Sequence, residues 1–158
     1  MDYEQLKQII SSKPLIIGIG NELRGDDGAG IILVQRIQTS GYKNTLIVGG
    51  TPENYLQKII TMPSESRLWI DAINWGSSAG GFKIFQKEEI NHFAISTHNF
   101  SLTVITKFLN EFRPIPDFFL GIQPQNLALG EYLSTPVDHI VNELAGIITK
   151  QLEKSGLI

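Results

Sequence analysis

The stretch LIIGIGNELRGDDGAG, Leu15 to Gly30, passes from an apolar run into a loop rich in glycine and acid. An apolar run without polar alternation suits a strand buried on both faces, and such a strand belongs to a sheet covered by helices on either side. Beyond the loop, Ile31, Val34 and Ile37 recur at intervals of three, the stripe of a helix that packs on a sheet. Strand, loop and helix in this order open a doubly wound α/β fold.

The rest of the chain repeats that alternation. Thr45 to Val48 reads as a second buried strand ended by Gly49-Gly50-Thr51-Pro52, and Leu56, Ile59 and Ile60 mark the next helix. A third strand, Arg67 to Ile70, ends on Asp71. In Gly81 to Phe85 the charged Lys83 lies between Phe82 and Ile84, a polarity alternation expected of an antiparallel strand at a sheet edge. Leu102, Ile105, Phe108, Leu109 and Phe112 trace a helix that Asn99 or Ser101 can cap, and Phe118 to Ile122 reads as the last strand. Ser134 or Thr135 caps the closing helix, with Pro136 as its first residue and Val137, Ile140, Val141, Leu144, Ile147, Ile148 and Leu152 as its apolar stripe. The expected architecture is an α/β three-layer sandwich, a mostly parallel sheet of about five strands with helices on both faces. Residues 1–158 read as a single domain, and Gly76 to Gly81 as a mobile surface loop.

Composition narrows the function classes. A net charge of -3 offers no basic face for a phosphate backbone, so nucleic acid is not an expected partner. The absence of cysteine removes disulfides, thiolate metal sites and cysteine nucleophiles, and leaves a metal only oxygen and nitrogen donors. The first residues, with Asp2, Glu4, Lys7 and Lys13, lack the apolar region of an export signal, and no run is long enough to span a membrane. A cytoplasmic protein is expected.

Several familiar site patterns also fail. Gly18, Gly20 and Leu23 occupy the three fingerprint positions of a dinucleotide loop, so the third glycine is missing, and Asp26 with Asp27 would repel a phosphate. The loop lacks the alternating acids of a calcium site, and there is no G-x-S-x-G elbow to make Ser96 or Ser101 a hydrolytic nucleophile. What remains are three polar clusters that follow apolar runs or precede a helix: Asp26-Asp27, Asp71 and Thr97-His98-Asn99. Each has a plain structural reading, as helix caps, a turn acceptor or a capping histidine. His92 and His139 are read as surface residues. If the first and third strands are neighbours, however, Asp27, Asp71 and His98 project from one rim, since open α/β sheets gather their ligands beyond the carboxyl ends of the strands. Two carboxylates and an imidazole suit a borderline divalent ion such as nickel or zinc, with positions left open for water or substrate. Such an ion can polarise a carbonyl or activate water for peptide hydrolysis, with Glu22 or Glu53 available as a base.

At this point five ordered motifs can be set together. They are Gly18-Ile19-Gly20-Asn21 with Asp26-Asp27-Gly28-Ala29-Gly30, Gly49-Gly50-Thr51-Pro52-Glu53-Asn54, Asp71-Ala72, Thr97-His98-Asn99 and Gly121-Ile122-Gln123-Pro124. In these the chain resembles the hydrogenase maturation endopeptidases, which trim the large-subunit precursor of nickel-iron hydrogenases, over about Leu15 to Leu152. The tail Gly121 to Pro136 is most similar to the branch serving hydrogenase 3 and formate-hydrogenlyase-type enzymes. The resemblance implies that Asp27, Asp71 and His98 contact nickel already inserted in the precursor, so that cleavage follows completed metal loading. It implies the precursor as partner, and the protein is expected to be a monomer. Asp26 could share the role of Asp27, and the loop beside Asp71 departs from the family pattern at Asn74 and Ala79. The rival reading is a non-enzymatic nickel carrier or assembly chaperone that uses the same ligands.

Overall fold

A computed structural model describes residues 2–90, 102–130 and 132–158. Its five strands are β1 (Pro14–Ile19), β2 (Thr45–Gly49), β3 (Ser66–Ala72), β4 (Phe82–Phe85) and β5 (Asp117–Ile122). They form one sheet in the order β2-β1-β3-β5-β4, parallel except for β4, which runs antiparallel to β5 at the edge. The expected adjacency of the first and third strands is present: Ile16 lies opposite Leu68 and Gly18 opposite Ile70.

Six helices accompany the strands among the described residues: α1 (Asp2–Ser11), α2 (Ala29–Thr39), α3 (Leu56–Thr61), the single turn α4 (Lys87–Ile90), α5 (Leu102–Phe112) and α6 (Thr135–Lys154). The strands sort their side chains by alternation, one face per parity. Ile16, Leu68, Ile70, Leu120 and Ile122 pack with α1, α2 and α6, through residues such as Leu6, Ile10, Leu33, Val34, Val141 and Leu144. Leu15, Ile17, Ile19, Trp69 and Phe119 pack on the other face against Ile59 of α3 and Leu102, Ile105 and Leu109 of α5. These two cores make the three layers expected from the sequence, with β1 and β3 buried on both faces.

Three differences from the sequence reading have local causes. The N-terminal segment folds as α1, whose Leu6, Ile9 and Ile10 form a buried stripe too short to stand out among the charged residues around it. On α5, Phe108 and Phe112 face outward, 40% and 61% exposed, while Leu102, Ile105 and Leu109 carry the burial. The Gly76 to Gly81 segment is stitched rather than loose. The Gln123 side chain, 5% exposed, accepts hydrogen bonds from the Trp75 and Ser77 amides and donates to Asn74 Oδ1, and the Gly80 amide donates to the Gln123 carbonyl.

At the amino end of the strands, opposite the loops that matter below, a buried ion pair ties β3 to β5. Arg67 donates to both carboxylate oxygens of Asp117, at 2.7 and 3.1 Å, and Trp69 Nε1 and Asn110 Nδ2 add two further donors at 2.9 Å each. Every acceptor position of this desolvated carboxylate is matched, which is the condition for a buried charge to be tolerated.

Candidate functional site

β1 and β3 lie side by side, and the chain leaves β1 on one face of the sheet, through α2, and leaves β2 on the other, through α3. The crevice beyond their carboxyl ends is therefore the switch point of the fold, where open α/β sheets bind ligands. Two glycines let the chain close this rim tightly. Gly20 has φ 142°, and a Cβ there would stand 1.9 Å from the Asp27 carbonyl oxygen. A Cβ on Gly30 would stand 2.3 Å from the Ile70 carbonyl, so the start of α2 rests directly on β3.

Between these glycines, Gly25–Gly28 form a 3-10 turn in which Asp26 and Asp27 are both buried. The turn is held by its own backbone, with the Asn21 amide on the Asp27 carbonyl at 3.1 Å and the Asp27 amide on the Arg24 carbonyl at 3.1 Å. The two adjacent aspartates are put to different uses. The Asp26 carboxylate, fully buried, accepts from the amides of Gln125, Asn126 and Ser134 and from the Ser134 hydroxyl, at 2.7 to 3.0 Å. With these four donors on its carboxylate and none of them from α2, Asp26 does not cap that helix. It is a structural pin between the Asp27 turn and the segment that leads into α6. The same pairing turns the Ser134 hydroxyl away from its own helix: Ser134 occupies the N-cap of α6 without a side-chain cap bond.

Asp27 is 7% exposed and Asp71 5% exposed. Asp71 follows Trp69 by two residues and precedes Ile73 by two, and both of those pack in the core shared with α3 and α5, so alternation turns its carboxylate to that face. Asp27 reaches the same rim from the turn after β1, the strand paired with β3. The structure thus brings two of the three sequence-derived site residues to the carboxyl ends of neighbouring strands. His98, with Thr97 and Asn99, lies outside the described residues, as do the cap candidate Ser101 and the hydroxyl of Ser96. Among the described residues no group of three or more His, Asp or Glu side chains is gathered. Of the two candidate bases, Glu22 is exposed, whereas Glu53, in the 3-10 turn Pro52–Tyr55 that follows β2, buries its Oε2 with no hydrogen-bond partner among the described residues.

Sequence reasoning missed the Asp26 pin and the Gln123 stitch, because both join segments far apart in the chain; the only signal was that Gln123 stands inside a recognised motif. A doubly wound sheet with two buried carboxylates at its switch point has the frame of an α/β enzyme. The family model HycI, hydrogenase maturation protease, matches residues 31–151. A Methanocaldococcus jannaschii protein assigned as a hydrogenase maturation protease is 31% identical over 149 residues, covering 86% of this chain and 88% of that one. The hydrogenase 3 maturation protease of Escherichia coli is 29% identical over 131 residues, 80% of this chain and 83% of that one. In three dimensions the chain is similar to the crystal structure of the nickel-iron hydrogenase maturation protease HycI from Thermococcus kodakarensis, with a TM-score of 0.83 and 28% identity over 94% of this chain and 99% of that one. The chain belongs to the hydrogenase maturation protease family, and its activity is that of an endopeptidase.

Proposed function

We propose that this endopeptidase removes the C-terminal extension of the large-subunit precursor of a nickel-iron hydrogenase, and that Asp27, Asp71 and His98 contact the nickel the precursor carries. The observation that supports this most strongly is the placement of two buried carboxylates, Asp27 and Asp71, at the carboxyl ends of the adjacent strands β1 and β3. Nickel enters here as part of the substrate. The donor set suits it: carboxylate oxygens and one imidazole match a borderline divalent ion and leave positions for the precursor's own ligands. Nickel bridging precursor and protease holds the scissile segment at the rim and can polarise its carbonyl, while carboxylates nearby serve to accept the proton of an attacking water. On this reading the protein works in the cytoplasm as a monomer, and it takes no nucleic acid as partner. No helix among the described residues is long and apolar enough to cross a membrane.

The test is substitution at the three positions. Asp27→Ala, Asp71→Ala and His98→Ala should each abolish processing of the nickel-loaded precursor while leaving the circular dichroism spectrum intact. The carrier reading makes the opposite demand: a variant unable to cleave would still support hydrogenase assembly.

A further inference from the structure

The sheet has two edges, and they are treated differently. At the β4 edge, Lys83 stands in the strand, bonded to Glu89 at 3.1 Å and 5.0 Å above the Phe85 ring, and Tyr3 of α1 packs edge-on to Phe82. A charge in the strand and a helix beside it are the usual guards of an exposed edge. The β2 edge carries no charge: Thr45–Gly49 reads TLIVG, and α2 reaches it only from the sheet face, where Gln38 donates to the Thr45 hydroxyl at 3.1 Å. Its hydrogen-bonding pattern also leaves groups on offer. The Ile16 amide donates to the Asn44 carbonyl, and the Gly18–Ile47 and Ile17–Leu46 register continues the ladder, so Asn44, Leu46 and Val48 turn their backbone groups to β1. Thr45 and Ile47 therefore turn theirs outward, where no further strand lies among the described residues.

A cavity of about 680 Å³ opens at the carboxyl end of this edge. Ile31, Ile47 and Tyr55 give it apolar walls, Gly50 leaves backbone accessible, and Asn21 and Leu23 close it on the side of the Asp27 turn. It borders the Asp27 turn: Gly20 and Asn21 line it, and the Asn21 amide donates to the Asp27 carbonyl at 3.1 Å. We infer that the precursor's C-terminal segment binds in extended form as an added strand on β2, bonded to the outward groups of Thr45 and Ile47, and passes through this cavity to the rim bearing Asp27. Strand addition takes its affinity from main-chain hydrogen bonds and its selectivity from pockets for alternate side chains, and it needs a sheet edge with outward backbone groups of this kind. The inference rests on the endopeptidase reading above, and it adds where the substrate's chain is gripped.

Amide hydrogen exchange on the whole protein, alone and with a nickel-loaded large-subunit precursor substituted at its cleavage site, tests this directly. The expected result is exchange at the Thr45 and Ile47 amides slowed about tenfold or more in the complex, a factor that corresponds to roughly one net hydrogen bond. Ile47→Pro removes the outward donor and leaves the ladder to β1 in place, as proline does at sheet edges. It should raise KM for the uncut precursor about tenfold, while Lys83→Ala on the opposite edge leaves KM unchanged. Should Ile47→Pro fail to fold, the exchange measurement on the unaltered protein decides. Cleavage of the precursor with no protection at Thr45 and Ile47 would overturn the inference and leave the endopeptidase reading standing. Failure of the unaltered protein to cleave any nickel-loaded precursor would overturn both.

Discussion

Asp26 and Ser134, 108 positions apart, are joined by two hydrogen bonds: the Ser134 amide to Oδ1 at 2.7 Å and the Ser134 hydroxyl to Oδ2 at 2.8 Å. The pair fixes the start of α6 against the loop that carries Asp27. Backbone bonds extend the seam, from Gly25 to the Gly130 carbonyl at 2.7 Å and from Gly130 to the Leu23 carbonyl at 2.9 Å. The position of Asp27 is thus set by the bonds of the residue next to it.

The two aspartates should separate experimentally. Asp26→Ala removes the buried acceptor of four part-buried bonds and should cost about 3 kcal/mol of stability, read as a lower midpoint in urea. Asp27→Ala should cost less stability and abolish processing of the nickel-loaded precursor. Equal loss of stability in both variants would show that the division of labour is wrong.

The Arg67–Asp117 pair is a stability element placed away from the proposed site. Asp117→Ala leaves the guanidinium buried without its counter-charge, with only the Arg113 carbonyl and Asn110 Oδ1 as acceptors among the described residues, at an expected cost of about 3 to 5 kcal/mol. Because Trp69 Nε1 donates to the same carboxylate at 2.9 Å, the variant should also shift the tryptophan emission of the folded protein. Substrate KM, measured on the folded fraction, should not change.

Tyr42 predicts an alkaline limit. Its hydroxyl is buried against the Pro14 carbonyl, and this burial raises its pKa from 10.0 to about 12, with the Asn44 side chain opposing the shift. In the unfolded chain the phenol ionises near ~10, so between the two values the folded state holds a proton that the unfolded state has released. Stability contributed by Tyr42 is full below about pH 10 and is lost as the pH rises toward about 12. Denaturant titrations across that window should show the loss in the unaltered protein and a smaller slope in Tyr42→Phe.

Gln123→Ala should loosen the loop that follows Asp71. Two amides, those of Trp75 and Ser77, lose their acceptor, and their hydrogen exchange should accelerate while exchange in β3 is unchanged. Equal acceleration throughout β3 would mean that Gln123 supports the sheet rather than the loop.

Legibility in the sequence followed the range of the interactions. Buried parallel strands announce themselves because each is a local apolar run, and so β1, β2, β3 and β5 were placed within a residue or two. Lys83 between Phe82 and Ile84 marked the antiparallel edge for the same local reason. Asp27 and Asp71 were singled out by standing just past such runs, and strand adjacency then put them on a common rim. What local pattern could not carry was the separation of Asp26 from Asp27, since the acceptors of one are filled by Gln125, Asn126 and Ser134, about a hundred positions later. The same holds for Gln123, whose partners lie across a strand pair. The difference between the two sheet edges also needed the strand order, because an uncharged TLIVG reads as an interior strand until the order β2-β1-β3-β5-β4 puts it at the edge among the described residues.

Cleavage of matched precursors, one loaded with nickel and one metal-free, bears most directly on the proposal that Asp27, Asp71 and His98 meet the substrate's metal. The loaded precursor should be shortened by its C-terminal extension and the metal-free one left intact, with the difference abolished in Asp27→Ala because neither form is then cut. Equal cleavage of both precursors by the unaltered protein would contradict it.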